Sequence, residues 1–93
     1  MLREVPLGDL HLRRYVEPQL RRARSNPDGW VQLAFVVGAD GATHEITVVD
    51  ASPPGRYEEI ALDAVRRWRF DPPLENGTAV ARRTGVRLRF ENN

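Results

Sequence analysis

The sequence predicts an α+β fold, a two-layer sandwich in which helices lie on one face of a three-stranded antiparallel sheet. Residues 57–68 place apolar side chains at helical spacing, whereas residues 30–37, 43–50 and 80–90 alternate apolar and polar side chains as strands do. Runs rich in Gly, Pro, Asn and Asp separate these segments. With a short additional helix before the first strand, the predicted order is α-β-β-α-β.

Length and composition indicate one domain with a modest core, since the chain has 93 residues. We expect residues 1–16 to be a partly ordered lead-in and residues 17–93 to form the domain. The absence of cysteine excludes disulfides, zinc knuckles and thiol nucleophiles. The net charge is +1, with the basic residues, all arginine, concentrated toward the two ends. No apolar run is long enough to predict a membrane-spanning helix.

The first predicted helix begins at Glu17-Pro18, because proline is tolerated in the first turn of a helix. Residues 19–24 would form this short helix. The run SNPDG at residues 25–29 then breaks it and leads into the first strand.

The first two strands are predicted to form a hairpin with one apolar face. In residues 30–37 that face consists of Val31, Leu33, Phe35 and Val37. The connection GADG at residues 38–41 is typical of a tight hairpin loop, with glycine where a positive φ is needed. Residues 43–50 return as a strand rich in β-branched side chains, with Ile46 and Val48 on the inner face.

The second predicted helix carries an apolar stripe that must be buried. Its members, spaced i, i+3, i+4, i+7, i+8 and i+11, are Tyr57, Ile60, Ala61, Ala64, Val65 and Trp68. Asp63 and Arg67 have the spacing and order of a favourable ion pair on a helix. The pair Pro72-Pro73 prevents the helix from continuing.

The last predicted strand begins at Val80 and ends at Phe90. Its inward side chains are Val86, Leu88 and Phe90, and its outward side chains are Arg83, Arg87 and Arg89. A three-stranded sheet has two edges, and we expect this strand to form one of them. An edge exposes N–H and C=O groups with which another strand can pair, and this is the predicted feature from which a function follows.

The side chains that most often carry chemistry are isolated in this sequence. His11 and His44 lie in different elements and lack the spacing of metal ligands. Glu58 and Glu59 point about 100° apart on a helix, and acids in a first turn are explained by the helix dipole. No nucleophile elbow or phosphate-binding loop occurs. We therefore expect no enzymatic activity, no cofactor and no metal.

The outward arginines of the last strand allow two interpretations. Such a row can follow a phosphate backbone, but sheets that bind nucleic acids usually present stacking aromatic side chains beside the charge. Charged side chains on an edge strand also protect against aggregation. We favour the protective role, followed by recognition of a protein partner. Trp30, beside a turn and off the inner face, is the aromatic side chain that we expect to be most exposed.

Taken in order, the motifs resemble the C-terminal domain family of TonB, the bacterial energy transducer. The resemblance covers residues 29–90, about two-thirds of the chain, and each motif alone would be weak. The matching positions are Gly29, Val31, Phe35, Val37, Asp40-Gly41, Ser52, Pro54, Gly55, Tyr57, Ala61-Leu62, Ala64-Val65-Arg66, Trp68-Arg69-Phe70, Pro72, Gly77, Val80 and Phe90.

The resemblance implies a periplasmic module that captures the Ton box, a short N-terminal segment of outer-membrane receptors, by adding it as a strand to the edge of the sheet. With Trp30 added for its expected exposure, the residues that we expect at this interface are Tyr15, Trp30, Val80, Arg82, Arg83, Val86, Arg87 and Arg89. Family members have an inner-membrane anchor and a proline-rich spacer. Neither is found in this sequence, so we expect motor partners to be reached only through an anchor outside it.

Two other functions remain open at the level of sequence. The first is an assembly domain of the cell envelope that dimerises, or docks another protein, through its edge strand. The second is a binder of nucleic acids or anionic surfaces, whose affinity would fall steeply with salt. The chain as a whole is not basic enough to favour the second, and we expect no nucleic-acid partner.

Overall fold

The structure is a computed structural model that describes residues 2–20 and 27–91. Its regular elements, in chain order, are the 3₁₀ turn η1 (Leu7–Asp9), β1 (Leu12–Arg14), β2 (Gly29–Val37), β3 (Thr43–Ser52), α1 (Glu58–Arg66), β4 (Arg69–Phe70), β5 (Leu74–Glu75), β6 (Thr78–Ala79) and β7 (Arg82–Phe90).

The predicted fold class is confirmed. The central sheet has three antiparallel strands in the order β3-β2-β7, and α1 packs on one face of it. The central strand β2 is paired along its whole length with β7, from Gly29 opposite Phe90 to Val37 opposite Arg82. Two small sheets, β1-β4 and β5-β6, lie beside it. The last strand is therefore an edge of the main sheet, as predicted.

The core lies between the inner face of the sheet and α1. The predicted apolar face of β2 is completely buried, and its four members are Val31, Leu33, Phe35 and Val37. From the helical segment Ala61 and Val65 are also completely buried, and Tyr57 and Trp68 are 2% exposed. Because burying each large apolar side chain contributes about 1.5–3 kcal/mol, this contact supplies much of the stability of a small domain.

The helix is shorter than its apolar stripe. α1 begins at Glu58, one residue after Tyr57, and ends at Arg66, two residues before Trp68. The chain leaves the helix there because the N–H of Phe70 donates to the carbonyl oxygen of Gly41 at 2.8 Å. The predicted ion pair is present, with Arg67 Nη2 at 2.8 Å from Asp63 Oδ2.

The short helix predicted over residues 19–24 is not found in the described part of the chain. Gln19 and Leu20 have no regular secondary structure, and residues 21–24 lie outside the described residues. Within the described ranges, α1 is the one α-helix.

The N-terminal residues make contacts that the sequence does not indicate. The backbone of residues 3–5 lies parallel to the start of β7, and β1 pairs with β4 through Leu12 opposite Phe70. Residues 1–8 show no periodicity, so these pairings depend on the tertiary structure alone. Leu7, Leu10 and Val16 are partly buried against the core.

A tight turn before the last strand fixes where that strand begins. Asn76 and Gly77 both have positive φ, and they form the two-residue loop of the β5-β6 hairpin. Because of this hairpin, the last strand begins at a later residue than predicted. The N–H of Val80 donates to the carbonyl oxygen of Pro73 at 2.8 Å, so β7 begins at Arg82 and not at Val80 as predicted.

Gly41 should be the glycine least tolerant of substitution. Its φ is +81°, and a Cβ atom there would collide with the carbonyl oxygen of Phe70. Gly55 has a similar φ, +78°, with nothing within 4 Å of the added atom. We expect Gly41→Ala to lower the free energy of unfolding by about 3 kcal/mol and Gly55→Ala by about 1 kcal/mol, as measured by urea denaturation. Equal losses would show that the collision with Phe70 is unimportant.

Glu58 should make stability depend on pH. Its carboxylate accepts the N–H of Gly55 at 2.7 Å and of Tyr57 at 3.1 Å. These bonds, that from Gly55 above all, hold the pKa of Glu58 below its ordinary value. The carboxylate therefore contributes stability above the ordinary glutamate pKa, and this contribution is lost as the pH falls through the folded pKa.

We expect Glu58→Gln to be less stable than the wild type at about pH 6.5, with the difference shrinking as the pH falls below the ordinary glutamate pKa and through the folded pKa. Urea denaturation across this pH range measures it. Glu59→Gln, which removes the same charge from the same turn, should keep the pH dependence of the wild type. A Glu58→Gln variant with an unchanged pH dependence would contradict the role of these hydrogen bonds.

Candidate functional site

The outer edge of β7 carries backbone groups that no described residue pairs with. The register between β2 and β7 is continuous, so the N–H and C=O groups of successive β7 residues point alternately toward β2 and away from it. The backbone N–H and C=O of Arg83 point away from β2, because both bond to the N-terminal segment. By alternation the backbone N–H and C=O groups of Gly85, Arg87 and Arg89 also point away from β2. Within the described residues these groups have no backbone partner. We call residues 85–89 the open edge.

The N-terminal segment closes the edge on one side. The N–H of Arg83 donates to the carbonyl oxygen of Arg3, and the N–H of Val5 donates to the carbonyl oxygen of Arg83, both at 2.9 Å. After Pro6 the chain turns into η1, so this pairing does not continue along β7. The open edge therefore begins immediately after Arg83.

A groove of about 410 Å³ lies between β7 and the residues that follow β1. Tyr15, Glu17, Pro18 and Leu20 line one side, and we call residues 15–20 the groove wall. The other side is formed by Arg87, Leu88, Arg89, Phe90 and Glu91. Tyr15 is 55% exposed and Leu20 is 37% exposed, so the wall offers apolar surface to an occupant of the groove.

Trp68 holds the groove wall in place. Its indole N–H donates to the carbonyl oxygen of Val16 at 2.9 Å, and its ring lies 5.3 Å from the ring of Tyr15 between centroids. The same indole packs against Phe35 and Phe70 in the core. A single buried side chain thus connects the wall to the sheet.

Tyr57 supports the far end of β7. Its ring stacks on Phe90 with centroids 4.5 Å apart, and its hydroxyl donates to the carbonyl oxygen of Pro27. A second cleft of about 480 Å³ continues from this end of β7 and includes Gly29 and Trp30. The end of β7 is therefore anchored from the helix side and accessible from the other.

The face of β7 that points away from α1 is basic. Arg83, Arg87 and Arg89 are exposed, and none forms an ion pair with a described carboxylate. The residues outside the described ranges contain no Asp or Glu. The guanidinium of Arg87 lies 4.1 Å from the centroid of the Trp30 ring, and its Nε donates to Gln32 Oε1 at 3.2 Å. These contacts hold one positive charge beside the open edge.

The structure brings some of the expected interface residues together and separates others. Tyr15, Arg87 and Arg89 line the groove, and Val86 is half-buried on the inner side of the open edge. Arg83 is on the same strand, but its outward groups are occupied. Val80 precedes the strand, for the reason given above.

Arg82 and Trp30 differ most from what the sequence suggests. Arg82 is on the inner side of the strand, where its side chain is 12% exposed and pairs with Glu75 at 2.7 Å. Trp30 is half-buried under Arg87, and Tyr15 is the exposed aromatic side chain, so the prediction for Trp30 is wrong. A cation over the ring covers it, and a strand pattern cannot indicate such a contact.

Sequence reasoning missed the groove wall beyond Tyr15 and the contribution of residues 3–5. Glu17, Pro18 and Leu20 lie opposite β7 although the sequence predicts the start of a helix there. The sequence signal available there is weak: Tyr15, Val16 and Leu20 are apolar but follow neither a helical nor a strand period. No periodicity marks residues 3–5.

The histidines have local explanations. His44 Nε2 lies 3.1 Å from Asp40 Oδ1. The hydrogen bond from the N–H of Ala42, and to a smaller extent that with His44, holds the pKa of Asp40 below its ordinary value. In residues 2–20 and 27–91 no group of three or more His, Asp or Glu side chains could hold a metal ion. The same ranges contain no helix long and apolar enough to cross a membrane.

Comparisons with known proteins identify the family of this chain. The family model described as "Gram-negative bacterial TonB protein C-terminal" matches residues 19–91. The chain is 31% identical to Protein TonB of Pseudomonas aeruginosa over 67 residues, which is 72% of this chain. It is 33% identical to Protein TonB of Escherichia coli over 45 residues, which is 48% of this chain. In each case the match covers 19% of the relative's length.

Solved structures show the same fold. The solution NMR structure of the P. aeruginosa TonB C-terminal domain has a TM-score of 0.78 at 27% identity, covering 95% of this chain and 93% of that one. TonB2 of Vibrio anguillarum gives a TM-score of 0.62 at 28% identity, covering 98% and 83%. With the family match over most of its length, the chain belongs to the TonB C-terminal domain family.

Proposed function

We propose that this domain is a non-enzymatic binding module of the periplasm. It captures the N-terminal Ton box of an outer-membrane receptor, which adds as a strand to the open edge, and so supports energised transport. The observation that carries this proposal is the row of outward backbone groups at Gly85, Arg87 and Arg89, with which no described residue pairs. Coupling to an inner-membrane motor is proposed only for a whole protein, since this chain spans 19% of the length of each curated relative.

Strand addition suits this edge because main-chain hydrogen bonds supply affinity independently of the partner's side chains. Each bond contributes about 0.5–1.5 kcal/mol in net terms, so a row of them is needed for useful affinity. The same row shares a pulling force along the strand. The groove wall then contacts the partner's side chains and provides specificity.

The second edge of the sheet is less suitable for strand addition. The register of β3 against β2 shifts twice, between Gln32 and Leu33 and between Ala34 and Val36. Glu45 has a φ of +50°, which is unusual in a strand. Irregularities of this kind bend an edge and interrupt its ladder, and they protect edges from unwanted pairing. β7 has no such irregularity and is the edge that we assign to the receptor segment.

Pairing of the open edge with a second copy of the chain is the alternative function. In an antiparallel β7-β7 pair, Arg87 and Arg89 of both copies would lie on the same face of the joined sheet. Like charges directly opposite each other destabilise a strand pair. The alternative is therefore less favourable than capture of a segment without arginines.

The proposal predicts which amides a receptor segment perturbs. In an NMR titration with synthetic peptides copied from the N-terminal segments of outer-membrane receptors, we expect the shifts to concentrate on residues 85–89 and on the groove wall. They should persist at high salt, because main-chain bonds are screened little. Line broadening that grows with protein concentration, without peptide-induced shifts, would instead support self-association.

Two variants at Arg89 separate the backbone contribution from the side chain. Arg89→Ala removes only the side chain, whereas Arg89→Pro also removes an outward N–H that plays no part in the ladder with β2. Both should stay folded, since an edge strand tolerates proline where its N–H faces outward. Peptide affinity should be several-fold weaker for Arg89→Pro than for Arg89→Ala. Equal affinities would contradict strand addition at this position.

Trp68→Phe tests the groove wall. It keeps an aromatic ring in the core but removes the hydrogen bond to Val16. We expect faster hydrogen exchange in residues 15–20 and weaker peptide binding, with a loss of stability of about 1–3 kcal/mol. Val65→Ala, a core truncation away from the wall, is the matched control and should lower stability without these two effects. If both variants bind the peptide alike, the wall does not contribute to recognition.

A further inference from the structure

We infer that the open edge selects a strand with acidic side chains at two positions, i and i+2, and uncharged, apolar side chains at the neighbouring positions. The two acids lie on the face of the sheet that carries Arg87 and Arg89, which we call the arginine face. The inference rests on the proposed function and specifies the class of segment that the site takes. It follows from the length of the open edge and from the different charges on its two sides.

The length of the site is set by its closed end. Arg83 is already paired with residues 3–5, so an added strand finds outward groups only from Gly85 to Arg89. A segment as long as residues 85–89 fills this space. Two of its side chains then lie directly opposite Arg87 and Arg89, on the face away from α1.

The arginine face favours acids at these two positions. Arg87 and Arg89 are exposed and have no described carboxylate partner, and no residue outside the described ranges has a carboxylate side chain. Side chains directly opposite each other on neighbouring strands have Cβ atoms about 4.5–5.5 Å apart, which is within reach of an ion pair. Arg87 is already oriented by Trp30 and Gln32, so little of its freedom is lost on binding.

The groove side disfavours acids. A partner side chain on that face points toward Tyr15 and Leu20, which are apolar and exposed. Glu17 and Glu91 also line the groove and offset the charge of Arg87 and Arg89 there, so a carboxylate gains no net attraction on this side. Attraction on one face and its absence beside apolar side chains on the other together determine which segments bind, since specificity is a difference between affinities.

The other edge of the sheet would reject the same segment. β3 presents Glu45 and Asp50 as exposed acids, in addition to its irregular register. A strand with two acids is therefore directed to β7 by charge as well as by backbone geometry. The uneven charge of the sequence, negative in its middle and positive at its end, thus has a structural consequence at the two edges.

Three capped synthetic peptides test the pattern. The first contains Thr-Asp-Val-Asp-Val-Thr, in which the acids alternate. The second, Thr-Val-Asp-Asp-Val-Thr, has the same composition with the acids adjacent, so only one of them faces the arginines in any register. The third replaces both acids of the first with Asn. The readout is the NMR titration of the described protein amides, at low and high salt.

We expect the alternating peptide to bind about ten-fold more tightly than the Asn peptide and about three-fold more tightly than the adjacent one at low salt, with shifts at residues 85–89. Arg89→Gln should reduce the preference for acid over Asn about three-fold. Arg66→Gln, which removes an exposed arginine from α1 on the other layer, is the matched control and should leave this preference unchanged.

The outcomes separate this inference from the proposed function. If the Asp and Asn peptides bind the open edge equally well, the acidic pattern is overturned and strand addition stands. Equal binding of the alternating and adjacent peptides, lost at high salt, would show general attraction of anions and also overturn the pattern. If no peptide shifts the amides of residues 85–89, the inference and the proposed function both fall.

Discussion

The structure depends on the burial of the Trp68 indole. Its ring fills the space between the sheet and the chain that follows β1, and it packs against Tyr15, Phe35 and Phe70. Its N–H donates to the carbonyl oxygen of Val16, and a buried donor left without a partner would cost about 1–3 kcal/mol. The requirement to satisfy one polar atom in the core therefore places the wall of the groove. Core packing and the candidate site are consequences of the same contact.

The two edges of the sheet are treated differently by the fold. Every open sheet must leave backbone groups unpaired at its edges, and exposed edges invite association. In this domain β3 is made irregular by two register shifts, and one end of β7 is paired with residues 3–5. The remaining part of β7 stays straight and unpaired within the described structure. An exposed edge of this kind usually promotes aggregation, but here it has a defined length and charge and is suited to binding a partner strand.

Charge adds selectivity to an interaction that backbone hydrogen bonds alone leave unspecific. Main-chain bonding accepts almost any extended segment, so discrimination must come from the side chains on either side of the added strand. Here one side presents Arg87 and Arg89, and the other presents apolar wall residues with Glu17 nearby. The position of Arg87 over Trp30 shows how a residue expected to be an exposed contact instead orients a charge.

The sequence by itself determined the three strands of the main sheet, the central helix and the edge position of the last strand. Each follows from a local period, such as the alternation of Val31, Leu33 and Phe35, that reports which side chains must be buried. Only the tertiary structure decided the groove, the occupied end at Arg83 and the late start of β7. These depend on bonds between residues far apart in the chain, such as Arg3 with Arg83 and Trp68 with Val16, and non-local pairing leaves no period in either partner.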